Sequence, residues 1–362
     1  RDFLRDELYP SSRTGGNVGL RSIPGGTECY SAKIRDFTTL DLVPEEIHSM
    51  GVTELERAHT EIADLGMRVL GTSDIAEIQA RLRSDPLSRV LVLWRDKHQV
   101  TGDDQPTPIW HSGKAAQELL SDSENWIFLG TLDGLAHFAI DMSHLTNPSE
   151  HSLLAEHANF MDLRSIGPLL AQADSSAMAY ARGMVFWNRR NIFCGACGEK
   201  TKHMSAGHVR KCTNINCGLD HFPRTDPAVI VLVIHDDECL LGRQKIWPKG
   251  MRSTLAGFLE PGESLEETVV RELHEEAGVR LATAPIYQHS QPWPFPCSLM
   301  VGFYARAATK TLVVNTDELE TADWFSREEL LNPPENESFR LPRRDSIARR
   351  LIDDWLSGGI SP

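Results

Sequence analysis

Apolar residues fall along this chain in two kinds of pattern. Short unbroken runs, Val90-Leu91-Val92-Leu93-Trp94 and Trp126-Ile127-Phe128-Leu129, predict strands, with turns at Thr101-Gly102-Asp103-Asp104 and Asp133-Gly134. The run from Ala228 to Ile234 is aliphatic throughout and predicts a strand buried on both faces. Between 146 and 190 the pattern turns helical: Ala177, Ala181, Met184 and Val185 recur at i, i+4, i+7 and i+8 and make one apolar stripe. A strand, a loop and a helix are expected from about 252 to 278, then more strands, then a helix over about 345–356. Residues 1 to about 145 read as a mixed α/β region. No internal repeat is visible.

The helix in the 252–278 stretch is defined by its ends. Ser264 is an N-cap residue, and Glu267 three positions later completes a capping box. Gly278 is a C-cap glycine, so the helix runs from about 265 to 277. At 100° per residue, Glu272, Glu275 and Glu276 share an arc of roughly 100°. Val269, Val270, Leu273 and Ala277 occupy the adjoining arc, which must face a core. Carboxylates at i and i+4 repel, and a hard divalent cation with oxygen ligands would relieve the repulsion. Glu263, on the preceding loop, can hydrogen-bond or join the cluster. Three glutamates by themselves would equally describe a solvated acidic helix.

Composition narrows the setting. The 362 residues suffice for two or three domains, and 41% hydrophobic with 24% charged residues is ordinary for a globular protein. A net charge of −14 argues against tight nonspecific binding to nucleic acid or anionic membranes. No apolar run approaches the roughly 18–20 residues that would span a bilayer. No secretion pattern, transit peptide or peroxisomal tripeptide is read at the ends, so an intracellular, chiefly cytoplasmic setting is expected, with peroxisome and mitochondrion left open.

Of the seven cysteines, four are clustered: Cys194-x2-Cys197, fourteen residues, then Cys212-x4-Cys217. Two close pairs of soft ligands suit tetrahedral zinc, and four thiolates would close the coordination sphere, making the metal a staple and not a catalyst. The alternatives are four reduced cysteines without metal, or a set in which His203, His208 or His221 replaces one of them.

From Gly257 to Val279 the chain reads Gly-x5-Glu-x7-Arg-Glu-apolar-x-Glu-Glu-x-Gly-apolar, and in this it resembles the Nudix box. The resemblance implies an α+β fold with a mixed β-sheet sandwiched between helices, and hydrolysis of a nucleoside diphosphate linked to a further group. It implies that Glu272 and Glu276 are the principal ligands of a catalytic Mg²⁺ or Mn²⁺, joined by Glu275, the backbone carbonyl of Ala256 and Glu318, with Glu320 as rival to Glu318. Glu263 belongs to the catalytic set, and Arg271 orients its carboxylates by ion pairing.

Downstream, Ser290-Gln291-Pro292-Trp293-Pro294-Phe295-Pro296-Cys297-Ser298 predicts a rigid extended segment. Composition alone would also fit a proline-rich edge strand. The string is similar to the signature of the zinc-containing NADH pyrophosphatase subfamily, and the similarity is good from about 160 to 353 and faint before 145. It implies that Phe258 stacks on nicotinamide, and that Phe222, Gln291, Pro292, Trp293, Pro294, Phe295, Pro296, Cys297, Ser298 and Ala348 line the substrate. It also implies a homodimer and three parts: an N-terminal α/β domain (1–185), a zinc-ribbon-like module (186–222) and a Nudix domain (223–362). The expected reaction is cleavage of the pyrophosphate of NADH or NAD to give NMN(H) and AMP. Removal of NAD caps from RNA, general hydrolysis of ADP-ribose or of a nucleoside diphosphate linked to a further group, and a silent nucleotide-binding module are the rival readings.

Overall fold

The computed structural model describes residues 43–70, 72–102, 104–123, 125–155 and 159–358. They belong to two compact units, 1–81 and 82–362. The described part of the first is helical, with α1 (Pro44–Leu70) and the start of α2 (Ile75–Ser84), which crosses the unit boundary. Asp103 of the first predicted turn lies outside the described residues.

The second unit holds two mixed sheets of matching topology. In the first, β1 (Arg89–Trp94) pairs antiparallel with β2 (Lys97–Thr101) and β4 (Trp110–His111), after the short β3 (Thr107–Pro108), and parallel with β6 (Leu135–Asp141). β5 (Trp126–Leu132) pairs with β6 through a turn at Asp133-Gly134, and β7 (Phe160–Asp162) closes on β2. Helix α3 (Gly113–Asp122) follows β4; the one-turn α4 (Leu163–Ile166) and the long α5 (Gln172–Arg190) follow β7.

After β8 (Thr201–Met204), β9 (Val209–Cys212) and β10 (Asp220–His221), which form a separate three-stranded sheet, the pattern recurs. β11 (Asp226–His235) pairs antiparallel with β12 (Glu238–Arg243) and β13 (Leu255–Phe258), and parallel with β15 (Ser298–Arg306). β14 (Ile286–Trp293) pairs with β15, and β16 (Thr321–Ser326) with β12. Helix α6 (Leu265–Ala277) follows β13; α7 (Arg327–Leu331) and α8 (Ile347–Leu356) follow β16. No repeat is legible in the residues, yet the fold repeats. Strand pairing needs only apolar positions at period two, which leaves side-chain identity free.

Each mixed sheet is covered on both faces. Val229, Val231 and Val233 pack with Val269, Leu273 and Ala277 of α6, while Ile230, Leu232 and Ile234 pack with Leu351, Ile352 and Trp355 of α8. In the first sheet, Val90 and Val92 meet Ala116, Leu119 and Leu120 of α3; Leu91 and Leu93 meet Met178, Ala181 and Met184 of α5. A mixed sheet between helices is therefore present, as expected. The continuous helix over 146–190 is not: only 172–190 forms it, because Pro148 and Pro168 interrupt the backbone and 160–162 is drawn into the sheet as β7. Residue 185 lies inside α5, whose last turn leads into the cysteine loop.

One buried group in the first sheet gives an acid response. His98 on β2 is fully buried, and neither ring nitrogen has a hydrogen-bond partner among the described residues. Burial, and secondarily the charge of Arg182, pushes its pKa down to about 3. An unfolded histidine binds its proton below roughly 6.5. Between that pH and about 3 the unfolded chain therefore takes up a proton that the folded chain refuses, and stability falls as pH falls. His98→Leu should make this acid loss shallower in urea unfolding followed from pH 7 to 4; an unchanged slope would contradict the account.

Candidate active site

The local geometry begins with the caps of α6. Ser264 Oγ accepts from Glu267 N (3.2 Å), and the Glu267 carboxylate accepts from Ser264 N (2.8 Å). Gly278 ends the helix at φ 67°. Val269, Leu273 and Ala277 turn into the core, which sets the glutamates toward β13. The two elements are so close that a Cβ on Gly257 would lie 1.8 Å from Glu272 Cδ.

Arg271 organises the surrounding acids. Its Nε donates to Glu263 Oε1 (2.6 Å) and its Nη2 to Glu263 Oε2 (2.9 Å); its Nη1 donates to Glu272 Oε1 (2.8 Å) and Glu275 Oε2 (3.2 Å), and its Nη2 also reaches the Phe258 carbonyl (2.9 Å). This guanidinium holds the Glu263 carboxyl down at about 2. Burial raises the Glu272 pKa, which Arg271 partly offsets.

Glu276 stands apart. It is 3% exposed, and among the described residues its Oε2 has no hydrogen-bond partner. Burial, reinforced by Glu272 and Glu318, pushes its pKa up to about 8. A buried carboxylate oxygen without a partner is costly, and oxygen donors facing one another are what a hard cation binds. The residues present thus fit a divalent metal.

Glu272, Glu276 and Glu318 line one cavity of about 580 Å³, together with Ala256, Phe258 and Lys245. Glu320 instead pairs with Arg243 at 2.7 Å. Ala256 is shared with a second, adjoining cavity of about 610 Å³, whose wall includes Gln291, Trp293, Ala348, Trp247 and Thr254. Gln291 bridges two backbone groups at the start of α8: its Nε2 donates to Asp345 O, and its Oε1 accepts from Ile347 N, each at 2.8 Å.

The proline–aromatic string is not one extended strip. It runs down edge strand β14, where prolines are tolerated, then turns at 294–297 into β15. The turn divides its side chains. Pro292 is exposed, while the buried Pro294 accepts at its carbonyl from Arg182 Nε (2.8 Å). Phe295 carries the guanidiniums of Arg164 (4.9 Å) and Arg182 (5.0 Å) near its ring, meets Trp293 edge-on at 5.1 Å and, with Pro296, lines another cavity that shares Arg164 and Arg343 with the cavity walled by Trp293. Cys297 Sγ donates to Asp226 Oδ2 (3.4 Å), and Ser298 is buried at the start of β15. Phe222 is exposed and lines neither of the two adjoining cavities. Phe258, Gln291, Trp293 and Ala348 are thus brought around those cavities; the other aromatic and proline positions are not.

The four clustered cysteines converge, with all ligand atoms within 4.8 Å of one another, and could hold a metal ion. Tight turns close each pair: Gly198 N donates to Cys194 O and Gly218 N to Asn214 O, each at 2.8 Å. The amides of Ala196 and Cys197 hold the Cys194 pKa down at about 6, whereas burial pushes Cys212 up to about 12. His203 and His208 are engaged by the carbonyls of Trp126 and Phe128, so neither replaces a cysteine. His221 Nε2 lies 3.3 Å from Cys194 Sγ, outside the set of four.

Comparison with known proteins places this geometry in a family. The NUDIX domain profile matches residues 224–345, and that of the NADH pyrophosphatase-like rudimentary NUDIX domain matches 87–187. Residues 1–92 match a profile described as a bacterial protein of unknown function. An NAD-capped RNA hydrolase of Pseudomonas syringae is 40% identical over 211 residues, 58% of this chain and 71% of that protein. The chain belongs to the Nudix hydrolases. Nudix hydrolase 19, chloroplastic, of Arabidopsis thaliana is 37% identical over 273 residues (68% of this chain), and the NAD-capped RNA hydrolase of Homo sapiens 38% over 239 (62% of this chain). The chain spans 62% and 51% of the lengths of these two relatives. The duplicated topology explains the two NUDIX matches. Helix α3 of the rudimentary copy, GKAAQELLSD, lacks the acidic cluster of the Nudix helix. Among the described residues no helix is long and apolar enough to cross a membrane. Lys245, Trp247, Thr254 and Asp317 reach the two cavities without any sequence signal, except that Asp317 adjoins Glu318.

Proposed function

We propose that this protein hydrolyses the pyrophosphate of NAD(H)-type dinucleotides to NMN(H) and AMP in a divalent-metal-dependent reaction. The observation that carries this reading is the buried carboxylate of Glu276, held by the Ala256 backbone amide but with its Oε2 unpartnered among the described residues, facing Glu272 and Glu318 beside an adjoining apolar-walled cavity. Glu272, Glu275, Glu276, Glu318 and the Ala256 carbonyl would hold Mg²⁺ or Mn²⁺. When bound, such an ion neutralises pyrophosphate oxygens and makes a water more acidic. Arg271 keeps Glu272 and Glu275 oriented, and Glu263 keeps Arg271 in place. Phe258 offers an exposed ring at the cavity edge for stacking on nicotinamide. Trp293 and Ala348 give the neighbouring cavity walls that exclude water from a base, and Gln291 fixes the start of α8 beside them.

NAD-capped RNA is the second substrate reading, favoured by relatives that carry the name NAD-capped RNA hydrolase. Turnover of NADH and NAD-capped RNA at matched concentration, with products identified, tests both. Failure to cleave either overturns the reading. The homodimer, the intracellular setting and a division into an N-terminal domain, a cysteine module and a Nudix domain belong to the same proposal, supported by the family resemblance and the clustered thiols; the first boundary is set not at 185, which lies inside α5, but at that helix's end.

The cysteine set is proposed as a structural zinc site. Its four ligands leave no position for substrate, so the metal would tie the two turns together. Elemental analysis should find one zinc per chain, and Cys212→Ser should lower folded yield before it alters turnover by the remaining folded protein. Zinc-free protein that folds normally would contradict this.

A further inference from the structure

The acidic cavity is lined by five carboxyl side chains, Glu260, Glu272, Glu276, Asp317 and Glu318, and by one cationic side chain, Lys245. Among the described residues, no carboxylate lies within ion-pair distance of the Lys245 ammonium. Its loop, by contrast, is firmly placed. Arg243 Nη1 donates to Pro248 O (2.7 Å) and Nη2 to Trp247 O (3.3 Å), while its Nε pairs with Glu320. Trp247 N donates to Gln244 O (3.1 Å), closing a turn around Lys245. A pinned backbone therefore delivers an exposed ammonium to a cavity of carboxylates, within ion-pair distance of none of them among the described residues.

Carboxylates that gather cations make a poor neighbourhood for a lysine, because cation and ammonium repel. An anion lying between them reverses the sign. Phosphate oxygens turned away from a metal need donors, and an ammonium offers three around a point charge.

We propose that Lys245 is a catalytic residue: it binds a non-bridging oxygen of the substrate pyrophosphate and neutralises charge growing on the departing phosphate. This rests on the pyrophosphohydrolase reading. Water oxygen forms a bond to one phosphorus, the bond from that phosphorus to the bridging oxygen breaks, and its electron pair stays on the leaving phosphate. The water's proton passes to solvent; Lys245 keeps its own.

The test compares the full chain with Lys245→Gln and Lys245→Arg. With NADH and saturating Mn²⁺, kcat/KM should fall at least about 10-fold in the Gln variant and recover mostly in the Arg variant, as for loss of a charged donor to a developing anion. Without substrate, the Mn²⁺ concentration that half-stabilises the protein in thermal unfolding should be unchanged or lower in Lys245→Gln, since a repelling charge has gone. A kcat/KM within two-fold of the unaltered chain, or weaker Mn²⁺ binding in parallel with lost turnover, overturns the proposal. If the unaltered chain leaves NADH intact, the hydrolase reading fails by itself. Lys245 is then judged by AMP binding in the presence of Mn²⁺: weaker binding in the Gln variant supports the phosphate contact, and equal affinity overturns it.

Discussion

Glu276→Gln should lower NADH hydrolysis at least about 100-fold while leaving the metal-free protein as stable as before, or slightly more so. The size follows from the cost of removing a preorganised electrostatic group, roughly 2.7–4 kcal/mol of barrier. The stability follows from burial. Glu276 is 3% exposed, with one oxygen unpartnered among the described residues. Its folded pKa is raised to about 8 from an ordinary 4.5. Above 4.5 the unfolded chain releases the proton, but the metal-free folded chain keeps it until about 8. Stability is therefore lost as pH rises through that window. Gln keeps the size and hydrogen-bonding capacity of the neutral acid and does not ionise, so it removes this loss. Thermal unfolding in chelator from pH 5 to 8 should show the difference, and Mn²⁺ should stabilise the variant less than the unaltered chain. Glu266→Gln, on the exposed first turn of the same helix, is the control and should keep near-normal turnover. Wild-type hydrolysis by Glu276→Gln with metal present would remove Glu276 from the metal centre.

Gly257→Ala should be nearly as damaging, although alanine carries no charge and glycine no functional group. The added Cβ would fall 1.8 Å from Glu272 Cδ and 2.0 and 2.2 Å from its two oxygens. Strand β13 cannot retreat easily, because Gly257 is in register with Val229 at the centre of the sheet. The carboxylate of Glu272 must swing away instead, breaking its 2.8 Å bond to Arg271 and leaving the cavity. Turnover should fall by at least about 100-fold, on the scale of losing a fixed electrostatic group. What yields is the end of a side chain and not backbone, so folded yield should hold and Tm should move little. A variant with normal turnover would show that Glu272 is not needed where the structure puts it.

These two positions differ in how far the sequence exposes them. The helix over 265–277 is legible because its ends are written locally: Ser264 and Glu267 bond to each other's backbone, and Gly278 supplies the left-handed residue. The strand at 226–235 is legible because both its faces are buried and so both are apolar. The contact between Gly257 and Glu272 depends on how closely helix and strand approach, which no local pattern states. Tertiary pairing likewise decides that 160–162 is a strand, and that Phe295 lines a cavity with Arg164 and Arg182 while Trp293 lines the one walled by Gln291 and Ala348. Trp293 and Phe295 stand in one string in the sequence; the turn at 294–297 leaves their rings in edge contact but lining different cavities. The rudimentary copy of the fold escapes notice for a related reason, since its helix α3 carries none of the carboxylates by which α6 is recognised.

Cleavage of the bond between the two phosphates of a nicotinamide dinucleotide, with the help of a divalent cation, is the reaction expected of this chain. The most direct measurement is product analysis after incubating the full chain with NADH and Mn²⁺ or Mg²⁺ in ¹⁸O-labelled water. Reduced NMN and AMP are expected in equal amounts, one of them labelled on its phosphate, with no products once chelator is added. Intact NADH, or release of the nicotinamide ring with the pyrophosphate unbroken, would contradict it.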